Sequence, residues 1–148
     1  MLGWVLKALD SGQIELYCQP IVKPSFKPYA PGVSLSGEIL LRMRNERGQL
    51  VSASELLSLA ERYGFSCKLD RLVVSRALQI LGSNQQTLDG IRHLTVNLSA
   101  HSIGNVAFVD FLVVQIRNSG IDGSKLCFEI TETAAILDLK ATRHLIEV

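Results

Sequence analysis

Alternating apolar and polar residues predict four β-strands along the chain. Each segment is rich in leucine, β-branched or aromatic side chains and lies between turn-forming residues. The four predicted strands are IELYCQPIV, LSGEILLRMR, IRHLTVNLS and KLCFEIT. Proline cannot donate a hydrogen bond to a neighbouring strand, so we expect Pro20 at a sheet edge or a strand end.

Apolar residues at helical spacing predict helices between these strands. The predicted helices run from about Leu2 to Gly12, from Ser52 or Ser54 to Gly64, from Lys68 to Leu81, from Phe108 to Arg117 with a stop at Gly120, and onward from about Ala134. From the third strand onward, strands and helices alternate, which predicts parallel strands and an α/β fold. The proline-rich segment KPSFKPYAPGVS is predicted to be an irregular loop.

Each predicted strand has one face that carries polar side chains, because side chains alternate between the two faces of a strand. In an α/β barrel the apolar face packs against the outer helices, while the other face lines the interior and reactive groups collect at the carboxyl ends of the strands. We therefore expect one site to collect the interior-facing side chains of Gln19, Glu38, Arg42, Asn97 and Glu129.

The chemistry of this set favours a divalent cation and a phosphate. Two carboxylates and an amide oxygen suit Mg²⁺ or Mn²⁺, whereas zinc more often draws on His or Cys. Arg42 lies on the same predicted strand as Glu38 and can bind a phosphate with two parallel hydrogen bonds. The combination indicates metal-assisted attack on a phosphodiester.

Each residue also has a purely structural interpretation. Glu38 and Arg42 can pair with each other along an edge strand. Asn97 can satisfy backbone groups at a strand end, and Glu132 with a neighbouring threonine can cap the last helix. The functional interpretation rests on four polar faces arriving together.

Composition indicates a globular chain without a strong charge bias. The 148 residues are 47% hydrophobic and 20% charged, with a net charge of +1, and no nucleic-acid-binding pattern is present. The odd number of widely spaced cysteines favours a reducing compartment with free thiols, and we expect Cys127 in the core. Neither a membrane-spanning run nor a signal peptide is recognisable, so we expect a cytoplasmic location that leaves room for a membrane anchor elsewhere in a longer parent.

Five blocks together resemble the EAL domain family, bacterial phosphodiesterases that hydrolyse cyclic di-GMP to linear pGpG. The blocks are LYCQPIV, GEILLR, AERYG followed by LDRLVVSRAL, VNLSA and FEITET, and they occur in the family order over nearly the whole chain. The resemblance implies that Mg²⁺ or Mn²⁺ is bound by Glu38, Asn97 and Glu129.

The same resemblance implies further roles. It places Gln19 and Arg42 on the dinucleotide, with Leu40, the leucine of the signature motif, packed near the ligand. It also implies that Glu132 stabilises the loop after the fifth strand of the family fold.

The resemblance implies an EAL-type TIM-like barrel of which residues 1–148 cover about the first four strands. A TIM barrel takes about 250 residues. The DDFG-type motif and the general base of the family are expected beyond Val148, so no catalytic base is assigned here. We expect residues 1–148 to form a partial EAL domain that is inactive as an isolated fragment.

A half-barrel exposes strand edges and apolar surface, so we expect a homo-oligomer or association with the missing carboxyl-terminal half. GGDEF or sensor domains are candidate neighbours in the parent, cyclic di-GMP is the expected ligand, and no nucleic acid polymer is expected. The leading hypothesis is a fragment of a cyclic di-GMP phosphodiesterase. The alternative is a non-catalytic receptor for cyclic di-GMP or a protein-interaction module of EAL type.

Overall fold

In the computed structural model, a mixed β-sheet is covered by helices that follow its strands in the sequence. The structure describes residues 2–11, 14–22, 35–45, 47–83, 89–131 and 139–147. Its elements are α1 (Leu2–Asp10), β1 (Glu15–Ile21), β2 (Leu35–Arg44), β3 (Leu50–Val51), α2 (Ala53–Tyr63), α3 (Ser66–Gly82), β4 (Ile91–Asn97), α4 (Ala100–Ile103), α5 (Val106–Ser119), a 3-10 turn (Gly123–Lys125), β5 (Leu126–Glu129) and α6 (Leu139–Glu147).

The sheet has the strand order β1-β2-β4-β5, with β3 paired to β2 beside this path. Strands β2, β4 and β5 are parallel neighbours, which confirms the parallel connections predicted from the alternating elements. Strand β1 runs antiparallel to β2 at the edge of the sheet. This agrees with the edge position that was one of the two predicted from Pro20. The observed bounds of β2 are those predicted.

The helices begin and end at the residues that their caps dictate. The Ser52 side chain accepts a hydrogen bond from the Glu55 backbone N–H at 3.2 Å, so Ser52 rather than Ser54 is the N-cap of α2. Gly64 and Gly120, which follow α2 and α5, have positive φ angles of 70° and 67°, a conformation that costs glycine little. Both helix ends were predicted from these glycines.

The apolar face of the sheet forms the core with the helices. Strands β2 and β4 contribute Ile39, Leu41, Met43, Leu94 and Val96, each at most 9% exposed. Helix α2 contacts β2, and helix α3 contacts β4 and α5. Burial of this face at roughly 25 cal/mol per Å² is the main term that holds the sheet to its helices.

Some elements were not predicted or lie outside the described residues. Strand β3, helix α4 and the 3-10 turn are too short to produce a periodic signal. The proline-rich loop up to residue 34, Glu132, and the predicted start of the last helix at Ala134 lie outside the described residues.

All three cysteines are free thiols, but the expected core position of Cys127 is wrong. Cys127 is exposed because it lies on β5, an outer strand of the described sheet, and points to the same face as Glu129. Cys18, on the other outer strand, is exposed as well. Within the described ranges no helix has the length and apolar character that crossing a membrane requires.

Gly37 allows β1 and β2 to approach closely just before Glu38. A Cβ atom at residue 37 would overlap the Cys18 Sγ atom and would lie 3.3 Å from the Gln19 carbonyl oxygen. Residue 37 pairs with Pro20 across the two strands. The glycine therefore keeps β1 in register beside Glu38.

Replacing Gly37 with alanine is expected to lower the free energy of unfolding by about 1–3 kcal/mol, because the added methyl group overpacks the β1–β2 contact. The double variant Gly37→Ala/Cys18→Ala should recover part of that loss. Urea denaturation measures both, with Gly90→Ala as the control, since a Cβ at residue 90 meets no atom within 4 Å. Equal stabilities of Gly37→Ala and Gly90→Ala would contradict this account of the contact.

Candidate functional site

Three parallel strands bring Glu38, Asn97 and Glu129 together on one face of the sheet. Glu38 is in register with Thr95 on β4, and Asn97 follows Thr95 by two residues on the same face. The Asn97 Nδ2 atom donates a hydrogen bond to the Glu38 Oε1 atom at 2.7 Å. Glu129 is in register with Asn97 on the next strand.

The other predicted residues of the site continue this face. On β1, Gln19 is directly opposite Glu38, and Tyr17 is directly opposite Leu40. Strand β2 also carries Arg42 on the face of Glu38 and Leu40. The structure therefore brings six of the seven predicted site residues onto one continuous face, and the seventh, Glu132, lies outside the described residues.

Glu38 and Arg42 do not form the ion pair that a purely structural interpretation allowed. Glu38 accepts a hydrogen bond from Asn97, and the Arg42 Nη1 atom donates to the Leu41 carbonyl oxygen at 2.8 Å. The Arg42 guanidinium also lies 5.8 Å from the centre of the Tyr17 ring, within the range of a cation–π contact. None of the ion pairs in the described part of the chain includes Arg42.

Asn97 likewise has a role other than the structural one considered. Its side-chain hydrogen bond goes to the Glu38 carboxylate, not to a backbone group. With Nδ2 used in this way, the carbonyl oxygen Oδ1 is the atom that Asn97 can offer to a ligand.

The donor set at this face has the chemistry of a site for a hard cation. It consists of two carboxylates and one amide oxygen, the groups that Mg²⁺ and Mn²⁺ prefer. Among the described residues, no three His, Cys, Asp or Glu side chains are grouped so as to hold a metal ion. A hard divalent cation at this face would therefore take the amide oxygen of Asn97 as its third donor, beside the two carboxylates.

A buried carboxylate behind this face was missed by the sequence interpretation. Asp70 of α3 is 4% exposed, and its Oδ2 atom accepts hydrogen bonds from the Ser99 backbone N–H at 2.9 Å and from the Ser102 hydroxyl at 2.6 Å. A sequence signal existed. Asp70 lies on the buried face of its helix, at helical spacing from the apolar residues Val73 and Val74, which follow it by three and four positions.

Comparison with known proteins identifies the family. The EAL domain model matches residues 3–148, so the chain belongs to the EAL domain family. Its relatives include the cyclic di-GMP phosphodiesterase PdeB of Shewanella oneidensis, which is 28% identical over 137 residues. The match covers 89% of this chain but 15% of PdeB, so the chain spans a small part of that relative.

Solved EAL structures have the same fold. The FimX EAL domain of Pseudomonas aeruginosa bound to cyclic di-GMP matches with a TM-score of 0.83 and 25% identity, over 99% of this chain and 56% of that one. The PaMucR phosphodiesterase in complex with cyclic di-GMP matches with a TM-score of 0.78 and 27% identity, over 99% and 57%. The prediction of an EAL-type α/β fold is confirmed, and this chain corresponds to about half of each structure.

Asp70 is expected to make stability depend on pH. Burial raises the pKa of its carboxyl, and hydrogen bonds from Ser102 and Ser99 oppose that shift. Because the folded pKa exceeds the unfolded value of about 3.9, the stabilisation is complete below about pH 3.9 and is lost as the pH rises through the folded pKa.

The stability of the protein relative to an Asp70→Asn variant should therefore be greatest in acid, fall as the pH rises through the folded pKa of Asp70, and then level off. Urea denaturation at a series of pH values measures this difference. A difference that rises with pH would show that hydrogen bonding outweighs burial at this carboxylate.

Proposed function

We propose that the full-length protein containing this EAL sequence is a metal-dependent phosphodiesterase that hydrolyses cyclic di-GMP to linear pGpG. The observation that carries the proposal is the meeting of Glu38, Asn97 and Glu129 on one face, beside Gln19 and Arg42. The names of PdeB and PaMucR and the ligand of the FimX structure point to the same dinucleotide.

In this proposal Glu38, Asn97 and Glu129 hold Mg²⁺ or Mn²⁺. When bound, the cation supplies positive charge that stabilises the phosphodiester as it is attacked and assists the activation of water. The hydrogen bond from Asn97 to Glu38 keeps the two side chains oriented together, so less ordering is needed when the ligand arrives.

Arg42 and its neighbours bind the dinucleotide in this proposal. The Arg42 guanidinium is free of ion pairs in the described part of the chain and can exchange its contact with the Leu41 carbonyl for a phosphate oxygen. Gln19 offers amide donors and acceptors beside Glu38, and Leu40 offers an apolar surface between Glu38 and Arg42.

Replacing Glu38 with glutamine should lower kcat by about 100-fold or more, since losing even an outer partner of a metal ligand costs about 10–100-fold. The measurement is the Mn²⁺-dependent conversion of cyclic di-GMP to pGpG by the full-length protein. Chromatography quantifies the product. Glu61→Gln is the matched control, because Glu61 is an exposed glutamate of α2, remote in sequence from the site strands. Unchanged turnover in Glu38→Gln would rule out the ligand role.

The same assay separates an enzyme from a receptor. Tight binding of cyclic di-GMP by the unmodified full-length protein, with no pGpG formed in the presence of Mg²⁺ or Mn²⁺, would overturn hydrolysis and establish a non-catalytic receptor.

Replacing Arg42 with lysine keeps the positive charge but removes the ability to form bidentate hydrogen bonds with a phosphate. We expect the Kd for cyclic di-GMP to rise about tenfold, a loss of about 1.4 kcal/mol. Calorimetric titration of the full-length protein measures it. Arg76→Lys on the exposed side of α3 is the control, and equal affinities of the two variants would exclude Arg42 from the binding site.

A further inference from the structure

Asp70 is the buried carboxylate of the described residues, and both of its hydrogen bonds go to the turn after β4. The buried polar and charged residues in the described ranges are Ser66, Asp70, Thr95, Ser102 and Thr142. A buried carboxylate is costly unless hydrogen bonds satisfy it. Here the Asp70 Oδ2 atom accepts from the Ser99 N–H and the Ser102 hydroxyl, so the helix and the turn are joined through one oxygen atom.

The turn is organised around this oxygen. Ser99 is the N-cap of α4, and its hydroxyl accepts a hydrogen bond from the Ser102 backbone N–H at 3.2 Å. The Ser99 hydroxyl also donates to the Ser102 hydroxyl at 3.1 Å, which in turn donates to Asp70. Removing the carboxylate would leave the Ser99 N–H and the Ser102 hydroxyl without this acceptor.

Asn97 is the last residue of β4 and directly precedes this turn. The next residue, Leu98, donates its backbone N–H to the Glu129 carbonyl oxygen at 2.9 Å, and Ser99 is held by Asp70. The backbone that carries Asn97 is therefore attached to β5 on one side and to α3 on the other. These two attachments fix the direction in which the Asn97 side chain leaves the strand.

Asp70 and Asn97 line the same small cavity. The cavity has a volume of about 60 Å³, and Leu40 and Leu41 of β2 also line it. A cavity has no atoms to hold its lining in place, so packing constrains the walls less there than in a filled core. The hydrogen bonds of Asp70 supply the constraint that packing lacks.

We propose that Asp70 is a positioning residue of the site: it holds the turn of residues 98–102 so that Asn97 is presented to the divalent cation and to Glu38. Asp70 acts through Ser99 and Ser102 and touches neither substrate nor cation. This inference rests on the proposed function.

The test uses the full-length protein and Mn²⁺ alone as the first probe. Asp70→Ala, which removes the acceptor, should weaken Mn²⁺ affinity about tenfold, as the loss of an outer partner of a metal ligand does. Its kcat for cyclic di-GMP should fall while KM changes less, because the dinucleotide contacts on β1 and β2 remain. Asp70→Asn keeps an oxygen that can accept both hydrogen bonds and should restore most of the affinity.

Two further variants separate positioning from folding. Ser66→Ala is the matched control, because Ser66 is buried one turn before Asp70 on the same helix and its hydroxyl has no hydrogen-bond partner within the described structure. This variant should bind Mn²⁺ like the unmodified protein. Ser102→Ala removes one donor to the Asp70 carboxylate and should weaken Mn²⁺ binding less than Asp70→Ala does. If Asp70→Ala does not fold, Ser102→Ala tests the positioning role in its place.

The outcomes distinguish this inference from the proposed function. If the unmodified protein binds Mn²⁺ and hydrolyses cyclic di-GMP, but folded Asp70→Ala or Ser102→Ala matches it in Mn²⁺ affinity and kcat, the positioning role is overturned and the proposed function stands. If the unmodified protein neither binds Mn²⁺ nor hydrolyses the dinucleotide, the proposed function is overturned and this inference with it.

Discussion

The register of the three parallel strands β2, β4 and β5 determines where the polar side chains of the site lie. Glu38 pairs with Thr95, and Asn97 pairs with Glu129, so the side chains of three strands reach one face at neighbouring positions. A shift of one residue in any of these strands would send its polar side chains to the opposite face, into the core. The apolar residues that alternate with them, such as Ile39 and Val96, oppose that shift because they are buried. The core thus stabilises the geometry of the site.

Charge pairing on the edge of the sheet is arranged so that Arg42 remains available. Glu15 is opposite Arg42 in the β1–β2 register, yet its carboxylate accepts a hydrogen bond from the Arg44 Nε atom at 2.6 Å. Arg44 also donates to the Gly48 carbonyl in the turn that leads to β3. An exposed pair of this kind contributes little to stability because water and salt screen it. Its larger effect is that it occupies the acid nearest in register to Arg42.

Most of the strands, and the shared face of Gln19, Glu38 and Asn97, could be predicted from the sequence, because period-two alternation reports which residues share a face. The position of Gln19 opposite Glu38 could not, since alternation gives the face of a residue and not its partner on another strand. The hydrogen bond between Glu38 and Asn97 joins residues 59 positions apart, and no local pattern encodes such a contact. Asp70 was missed because helical periodicity was applied to apolar residues alone. Cys127 was misplaced because a small apolar residue in a strand was assigned to the core without knowledge of which strands lie at the edge.

The contact between Glu38 and Asn97 also has a consequence for the order of folding. Two residues 59 positions apart can meet only after a long loop has closed, and the entropy of that closure must be offset by the intervening helices α2 and α3 packing on the sheet. Folds that depend on contacts of such high sequence separation form slowly. The site is therefore absent from any partly folded chain in which β2 and β4 have not yet paired. A ligand that bridges these strands binds the native state alone, and its binding free energy adds to the stability of the whole fold.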